Sequence, residues 1–351
     1  MTGFRKQQGV ALITALFIFA LVAIAAVAMA DRQSLDIRRT ENLLHYDQAY
    51  MYALGGEKWA AQVLATVDED KNLDTLDPVQ DPWLNQLPPV PVEGGSISGF
   101  IRDVSARFPL NNLVDANGNK NDAYVKAFQR FVDDITGGDK CGAQNSFNPE
   151  LSNVLLDWID SNDQVEIGGA EDLVYLNRER PHRVGNQLMA SITELRALNN
   201  LIAEEYNCFV GNGQNPPLVN AIKASDVPIN INTAPPEVIR SLHPQIDDTI
   251  LAALLEGREE DPYKKKDDFV IKLKEELDLD TQGQPGETQE QKDAREAFDK
   301  LMNEELKLSV NSQYFEVTSI AQIGRMQVTL LSLLKRDGNK VTTIQRSLGL
   351  F

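Results

Sequence analysis

The stretch from Val10 to Ala30, VALITALFIFALVAIAAVAMA, sets the organisation of this chain. Its 21 residues include no charged side chain and a single hydroxyl, that of Thr14. A helix needs about 20 such residues to cross the hydrocarbon core of a bilayer. Arg5 and Lys6 precede the stretch, and basic residues mark the cytoplasmic side of a membrane helix. We therefore predict one membrane-spanning helix, with the rest of the chain outside the cytoplasm.

Two other interpretations of this stretch are open on its residues alone. Ala28-Met29-Ala30 has the small-x-small form that signal peptidase accepts, which is typical of a secretory signal peptide. The apolar core of such peptides usually spans about 7–15 residues, fewer than here, and no helix breaker follows this one. The other interpretation is a plain single-span anchor.

Outside this stretch the chain is strongly acidic. The formal net charge over all 351 residues is −18. Residues 31–351 hold 32 basic and 52 acidic side chains, a net charge of −20. Such a domain repels the phosphates of nucleic acids and attracts divalent cations. We therefore predict that the protein does not bind nucleic acid.

Hydrophobic periodicity divides the rest of the chain into a helix, a linker, terminal strands and a helix-rich middle. Apolar residues recur at three- and four-residue intervals up to about Val67, so the first helix continues beyond the membrane. Residues 68–93 are acidic and then proline-rich, which predicts an extended linker. Residues 96–113 are predicted to form a strand pair or a strand and a loop, and further strands are predicted over 314–322, 326–335 and 340–348. Helices are predicted over 121–135, 149–159, 191–206, 235–242, 246–257 and 294–307, with a polar loop over 278–293.

An acidic cluster within residues 157–175, DWIDSNDQVEIGGAEDLVY, is a candidate calcium site. Six acids and one amide supply the candidate oxygen ligands: Asp157, Asp160, Asn162, Asp163, Glu166, Glu171 and Asp172. So many like charges destabilise a fold unless a cation neutralises them, and oxygen ligands suit Ca²⁺. The spacing approaches that of an EF-hand, but Val165 stands where that loop needs glycine. The alternative is a solvated acidic loop, although the flanking Trp158 and Tyr175 favour a loop anchored on packed structure.

Residues 230–239, NINTAPPEVI, resemble the opening of a helix-hairpin-helix motif. Thr233 is predicted to cap the helix, with Pro235 or Pro236 in its first turn. DNA-binding versions continue with a Gly-x-Gly turn that meets a phosphate. Here the turn is HPQIDD, residues 243–248, without glycine and with two acids. We therefore interpret the segment as a helical packing module.

The histidines give no catalytic pattern. His45, His182 and His243 are scattered along the chain, and none lies in a Gly-x-Ser-x-Gly or His-Glu-x-x-His context. A membrane-tethered hydrolase is the alternative class of function, and the sequence predicts that the protein is not an enzyme.

The residues before the apolar stretch, FRKQQGVALI over 4–13, resemble the processing site of type IV pilins and type II secretion pseudopilins. In those families the cut precedes the apolar run, here after Gly9, and the helix is kept. The resemblance implies that a prepilin peptidase removes residues 1–9 and methylates the new amine of Val10. Most pilins carry Glu as the fifth residue after the cut, where this chain has Thr14. A buried carboxylate without a partner is costly, so its absence suits a subunit at a filament tip.

Nearly the whole chain resembles the K-type minor pseudopilins of bacterial type II secretion. The resemblance rests on RKQQGVALITALF, RRTENLLHYDQAYMYALGGEKWA, LPPVPVEGGSISGFI, LLDWIDSND with GGAEDLVYL, and SITELRAL with NINTAPPEVI. It implies an α+β fold, with a pilin-like long N-terminal helix packed on a small antiparallel sheet and a large inserted α-helical domain. The implied parts are a leader (1–9), a transmembrane helix (10–30), the helix continuation, linker and first strands (31–113), the inserted domain with its calcium-binding loop (114–312) and the last strands (313–351).

The resemblance also implies a function in protein export across the outer membrane. The chain would initiate and cap the pseudopilus, as a single-pass inner-membrane protein with its C-terminal domain in the periplasm. The implied partners are the I-type and J-type minor pseudopilins, the prepilin peptidase and the inner-membrane platform. Calcium is the implied cofactor, with Asp160, Asn162, Glu171 and Asp172 as ligands and Asp157 and Asp163 as further candidates. The alternative is a signal-peptide-bearing periplasmic calcium-dependent binding protein.

The chain has two cysteines, Cys141 and Cys208. In an oxidising compartment such a pair predicts one disulfide that closes a long loop. Two buried free thiols are the interpretation for a cytosolic protein. The predicted extracytoplasmic location favours the disulfide.

Overall fold

A computed structural model describes residues 10–66, 74–77, 81–137, 149–211, 216–279 and 288–348. Its first element is a continuous helix, α1, over Val10–Ala65. This span contains no proline and is rich in alanine and leucine, which have high helix propensity. The predicted continuation of the membrane helix is therefore confirmed up to Ala65.

The strands, in chain order, are β1 (Leu87–Val92), β2 (Gly95–Asp103), β3 (Phe108–Pro109), β4 (Val219–Asn220), β5 (Ile229–Asn230), β6 (Leu308–Ser309), β7 (Tyr314–Ile323), β8 (Met326–Asp337) and β9 (Lys340–Leu348). Five of them form one antiparallel sheet in the order β1-β2-β7-β8-β9. The short pairs β3–β4 and β5–β6 are parallel.

The second half of α1 packs closely on this sheet. Ala49, Ala53 and Ala60 are buried along one side of the helix. Gly56 lies on the same side, and a Cβ atom added there would come 2.2 Å from Oγ of Ser319 in β7. Small side chains let a helix approach a sheet closely, so Gly56 serves the packing of α1 on the sheet.

The contacts of α1 fix the direction of the sheet along the helix. Near its end, Leu64 packs with Phe315 at the start of β7. Further back, Ala53 packs with Ile323 at the end of β7. The start of β7 therefore lies beside the C-terminal end of α1, the end that points away from the apolar residues 10–30.

The α-helical domain is inserted between β2 and β7. Its helices are α2 (Asp122–Gly137), α3 (Leu151–Ile159), α4 (Asp172–Leu176), α5 (Ala203–Val210), α6 (Pro236–Ser241), α7 (Asp248–Glu260), α8 (Lys266–Glu276) and α9 (Gln289–Lys300), which continues as a π-helical turn over Leu301–Glu305. Short 3₁₀ turns occupy Pro82–Leu84, Leu110–Leu113 and Ile192–Ala197. Four aromatic rings pack together at the centre of the core of the inserted domain, with neighbouring ring centroids 5.3–6.3 Å apart: Phe108, Phe128, Phe131 and Phe209.

A network of polar side chains joins the sheet to the inserted domain at the point where the chain leaves the sheet. Asp103, at the end of β2, accepts hydrogen bonds from the hydroxyls of Thr233 and Ser312. Asp74 pairs with Arg336 of β8 and accepts from the Ser312 amide at 2.6 Å. Burial, followed by the nearby charge of Asp74, raises the pKa of Asp103 to about 6 despite its hydroxyl partners. These side chains fix the inserted domain against the sheet.

The predicted fold class is confirmed, because a long N-terminal helix, an antiparallel sheet and a helical domain are all present. Three local predictions were wrong. Residues 87–92 form strand β1, not linker, since its three prolines are tolerated on an edge strand. Residues 191–206 form a 3₁₀ turn and the start of α5, because Asn200 adopts a φ of 59° between them. Thr233 does not cap α6, whose N-cap is Pro235, because its hydroxyl binds Asp103.

Two further differences concern the inserted domain. Helices α4 and α8 were not predicted, since neither carries a long apolar stripe. The predicted loop 278–293 ends in helix, because Thr288 caps α9 by accepting from the Gln291 amide at 3.2 Å. Residues 280–287 of that loop lie outside the described residues. The interpretation of residues 230–248 as a packing module agrees with the buried α6 and with His243, which lies edge-on to Phe298 at 5.6 Å.

Candidate functional site

The apolar part of α1 is the one candidate membrane span in the described part of the chain. Its most apolar 18-residue window has a mean hydropathy of 3.0, and no residue of that window is buried in the protein. Thr14 donates its hydroxyl to the carbonyls of Val10 and Ala11, at 3.2 and 3.0 Å. The polar group of Thr14 is therefore satisfied within the helix, as an apolar environment requires. Val10 is the first residue of α1, and Gly9 lies outside the described residues.

Beyond the membrane span, α1 carries an exposed row of apolar side chains. Ile37, Leu44 and Met51 recur every seven residues and are 59%, 63% and 66% exposed. We call these three residues the outer seam. The outer seam lies on the side of α1 opposite Ala49 and Ala53, which face the sheet. A seven-residue apolar repeat is the pattern by which one helix packs against another.

The acidic cluster lies where α3 ends and α4 begins. Asp157 belongs to the last turn of α3 and is fully buried, and the amide of Glu166 donates to it at 3.2 Å. A Cβ atom at Gly169 would lie 2.0 Å from Oδ2 of Asp157, and Gly168 has a φ of +73°. The two glycines therefore allow the loop to fold back over Asp157. Burial, followed by the charge of Glu166, raises the pKa of Asp157.

Glu171 is the unusual side chain of this loop. It is 5% exposed, and neither of its carboxylate oxygens has a hydrogen-bond partner. Burial, followed by the charges of Asp157, Asp160, Asp163 and Asp172, raises its pKa to about 7. A buried carboxylate without a partner is costly, so this arrangement favours a bound proton or a bound cation.

Asp160 and Asn162 form the second part of the cluster. The Asn162 amide nitrogen donates to Asp160 at 2.9 Å, and its Oδ1 accepts from the amide of Gln164 at 2.7 Å. Burial, followed by the charges of Asp157 and Glu166, raises the pKa of Asp160 to about 6. Asp157, Asp160 and Glu171 are thus electrostatically coupled carboxylates.

The remaining acidic side chains of the cluster form hydrogen bonds or ion pairs with other residues of the chain. Asp172 accepts from the Val184 amide at 3.0 Å and from Arg183 at 3.3 Å. Asp163 accepts from the Asn186 side chain at 3.0 Å, and Glu166 pairs with Lys120 at 3.1 Å. The segment 183–186, which borders the cluster, was not foreseen because it contains no acid. Among the described residues, no group of three or more His, Cys, Asp or Glu side chains is already arranged as a metal site.

Aromatic packing anchors the loop on the domain. The rings of Trp158 and Tyr175 meet edge-on at 5.2 Å, and both side chains are buried. The indole nitrogen of Trp158 donates to Glu194 at 3.3 Å, and the Tyr175 hydroxyl accepts from the Asn199 amide at 3.3 Å. The prediction that these two aromatic residues anchor the cluster on packed structure is therefore confirmed.

One half of the predicted disulfide lies in the described structure. Cys208, in α5, is disulfide-bonded. Cys141 lies outside the described residues, so the pairing of Cys141 with Cys208 stays a prediction.

Comparisons with known proteins agree on one family. Two models described as "Type II secretion system (T2SS), protein K" match residues 106–209 and 229–291. The type II secretion system protein K of Pseudomonas aeruginosa is 31% identical, over 98% of this chain and 94% of that protein. That of Aeromonas hydrophila is 28% identical over 99% of both chains.

A solved structure shares the fold. It is the GspK-GspI-GspJ complex from the type 2 secretion system of enterotoxigenic Escherichia coli, in which the similar chain has a TM-score of 0.67 and 22% identity. The match covers 89% of this chain and 100% of that chain. The alternative of a signal-peptide-bearing binding protein gains no support from these matches. With a relative 31% identical over almost its full length, this chain belongs to the type II secretion system protein K family, the K-type minor pseudopilins.

Proposed function

We propose that this minor pseudopilin caps the tip of the type II secretion pseudopilus and initiates its assembly. The observation that carries this proposal is the position of the inserted domain. It leaves the sheet after Asp103 and returns at Tyr314, beside the C-terminal end of α1. With residues 10–30 in the membrane or the filament core, the domain stands at the far end of the subunit. Its bulk would prevent a further subunit from stacking above it.

The proposed partners are the I-type and J-type minor pseudopilins. The related chain of known structure is in a complex with GspI and GspJ, and two features of this chain suit such an assembly. The outer seam offers a continuous apolar surface for a neighbouring helix. Thr14 needs no partner from a subunit stacked above it in the filament, because its hydroxyl donates to carbonyls of its own helix.

We propose that a prepilin peptidase cleaves after Gly9 and methylates Val10. The inner-membrane platform would then move the processed helix from the membrane into the filament, with the acidic domain in the periplasm. The apolar residues 10–30 and the basic pair Arg5 and Lys6 support this orientation. The function is structural, and no catalytic step is assigned to the chain.

We propose that the acidic cluster holds calcium. The unpartnered oxygens of Glu171 and the coupled carboxylates of Asp157 and Asp160 fit a hard divalent cation. Asn162 and Asp172 complete the proposed ligand set. To bind calcium, each would exchange its present hydrogen bonds for a bond to the cation. Bound calcium would neutralise the cluster and hold the turn between α3 and α4.

The outer seam provides a test of partner assembly with a matched control. Leu44 and Leu43 are neighbours in α1 with exposures of 63% and 64%, but only Leu44 belongs to the outer seam. In cells that lack the native K-type protein, Leu44→Asp should abolish co-purification with the I-type and J-type proteins and reduce secretion. Leu43→Asp should leave both nearly unchanged. Equal effects of the two substitutions would exclude the outer seam as the assembly surface.

A further inference from the structure

A cavity of the inserted domain is lined by none of the residues of the acidic cluster. It has a volume of about 310 Å³ and opens where the domain meets the start of β7. Three lysines from separate elements line it: Lys266 at the start of α8, Lys307 after the π-helical turn, and Lys335 in β8. The cavity therefore gathers cationic side chains that are far apart in sequence.

None of these three ammonium groups forms an ion pair with a carboxylate in the described part of the chain. Lys266 donates to the carbonyl of Met302 at 3.3 Å, and Lys307 donates to that of Glu304 at 3.4 Å. Lys335 lies over the ring of Tyr314, 5.6 Å from its centroid. Within the described structure, all three positive charges are thus held by neutral groups.

The charge of the cavity is opposite to that of the protein. The whole chain has a net charge of −18, so acidic side chains are abundant. The cavity lining holds three lysines and one acid, Asp226, a net charge of +2. Lys266 is also the first residue of α8, a position where the helix dipole favours anions over cations. A lysine at position 266 therefore does not stabilise α8.

The backbone at this cavity departs from regular helix. In the π-helical turn, the Leu306 amide binds the carbonyl of Leu301 at 2.9 Å, and the Lys307 amide binds the hydroxyl of Tyr124 at 3.0 Å. The carbonyl of Met302 is thereby released from the helix and accepts from Lys266. Such π-helical segments occur frequently at functional sites.

We propose that this cavity binds a small oxyanion, phosphate or carboxylate. The three ammonium groups would supply charge-assisted hydrogen bonds, and the side-chain amides of Asn303 and Gln313 would supply neutral donors. The volume admits a compact anion and lies at the lower end of the range for small-molecule sites. This proposal is independent of the calcium site and of assembly with other pseudopilins.

The test is isothermal titration of the full chain in detergent micelles with inorganic phosphate and, separately, with acetate, at constant ionic strength and pH 7. The triple variant Lys266→Gln, Lys307→Gln and Lys335→Gln should bind at least about tenfold more weakly, because three charge-assisted hydrogen bonds are lost. A control of the same charge change replaces three exposed lysines outside the cavity, Lys126, Lys223 and Lys340, by Gln. This control should bind like the native chain.

A second variant separates charge from folding. Replacement of the three cavity lysines by Arg keeps the charge and should retain most of the affinity. Tighter binding of phosphate assigns the site to phosphates, tighter binding of acetate assigns it to carboxylates, and either result supports the proposal. Absence of binding to both probes would overturn it, as would an equal loss in the exposed-lysine control.

Discussion

The carboxylate of Glu57 in α1 is held by the guanidinium of Arg346 in β9 through two contacts of 2.7 Å. The Glu57 side chain is buried, whereas Arg346 at the sheet edge is about half exposed. The hydroxyls of Ser332 and Thr343 donate to the same carboxylate at 2.6 and 2.8 Å. One buried charge therefore joins the helix to β8 and to the outermost strand.

Removal of the arginine should destabilise the subunit. Arg346→Ala leaves the Glu57 carboxylate buried with two hydroxyl partners, and we expect a loss of about 3 kcal/mol in the free energy of unfolding. Chemical denaturation of the full chain in micelles measures it. The control is Arg39→Ala, which breaks the exposed pair of Arg39 with Asp36 and should cost less than about 0.5 kcal/mol. Equal losses in the two variants would contradict a structural role of Glu57.

The same pair predicts a pH dependence. Burial by itself raises the pKa of Glu57, but Arg346, Ser332 and Thr343 outweigh it and hold the pKa below its usual value. A lowered pKa contributes stability at pH values above the ordinary pKa of Glu, and this stability is lost as the pH falls through the pKa of the folded state. Relative to Glu57→Gln, the native chain should therefore lose stability on acidification below about pH 4.5, the usual value for Glu. A constant difference between the two proteins from pH 7 to pH 3 would contradict this.

Asp103 predicts the opposite pH dependence at the base of the inserted domain. Its pKa is raised to about 6, so the folded state holds a proton that the unfolded state has released. The resulting stability is fully present below the ordinary pKa and is lost as the pH rises through about 6. Asp103→Asn should remove this decline, which thermal unfolding between pH 4 and pH 8 measures. An identical pH profile in both proteins would show that Asp103 titrates normally.

Much of the fold follows from local patterns in the sequence. The apolar residues 10–30 and the alternating strands β7, β8 and β9 are visible because each element buries one face with a regular period. Strand β1 was missed because its prolines are compatible with a strand only when the position at the sheet edge is known. The cap at Thr233 was wrong because a partner 130 residues away, Asp103, takes its hydroxyl.

The candidate calcium site could likewise be predicted only in part from the sequence. The sequence identifies the acids of the cluster by their types and spacing. It cannot distinguish Glu171, whose oxygens have no partner, from Glu166, which pairs with Lys120, since this depends on the folded positions of residues far apart in sequence. The burial of Asp157 beneath Gly169 likewise appears only in the structure.

The calcium proposal predicts the behaviour of Glu171→Gln. Without calcium, this variant should be at least as stable as the native chain, because a neutral amide removes the repulsion among the coupled carboxylates. With millimolar calcium the native chain should gain thermal stability, and the variant should gain much less. Glu179→Gln changes one exposed charge nearby and serves as the control. An undiminished calcium response in Glu171→Gln would remove Glu171 from the ligand set.

The capping proposal predicts the effect of deleting the inserted domain. Asp103 pairs with Phe315 across β2 and β7, so a two-residue Asn-Gly turn can replace residues 104–314 and leave a β-hairpin. Circular dichroism and cooperative unfolding would verify that the shortened subunit folds. Without the bulk above α1, overexpressed pseudopili should be longer in electron micrographs. An unchanged length distribution with a folded, incorporated variant would contradict capping by the inserted domain.

The proposed processing after Gly9 retains the whole apolar helix. Mass spectrometry of the N-terminus of the protein from secreting cells tests this. Processing as a pseudopilin predicts a chain that begins with N-methylated Val10 and contains residues 10–30. A chain that begins at Asp31 would contradict it, because signal-peptide cleavage would have removed the helix on which both membrane anchoring and filament assembly depend.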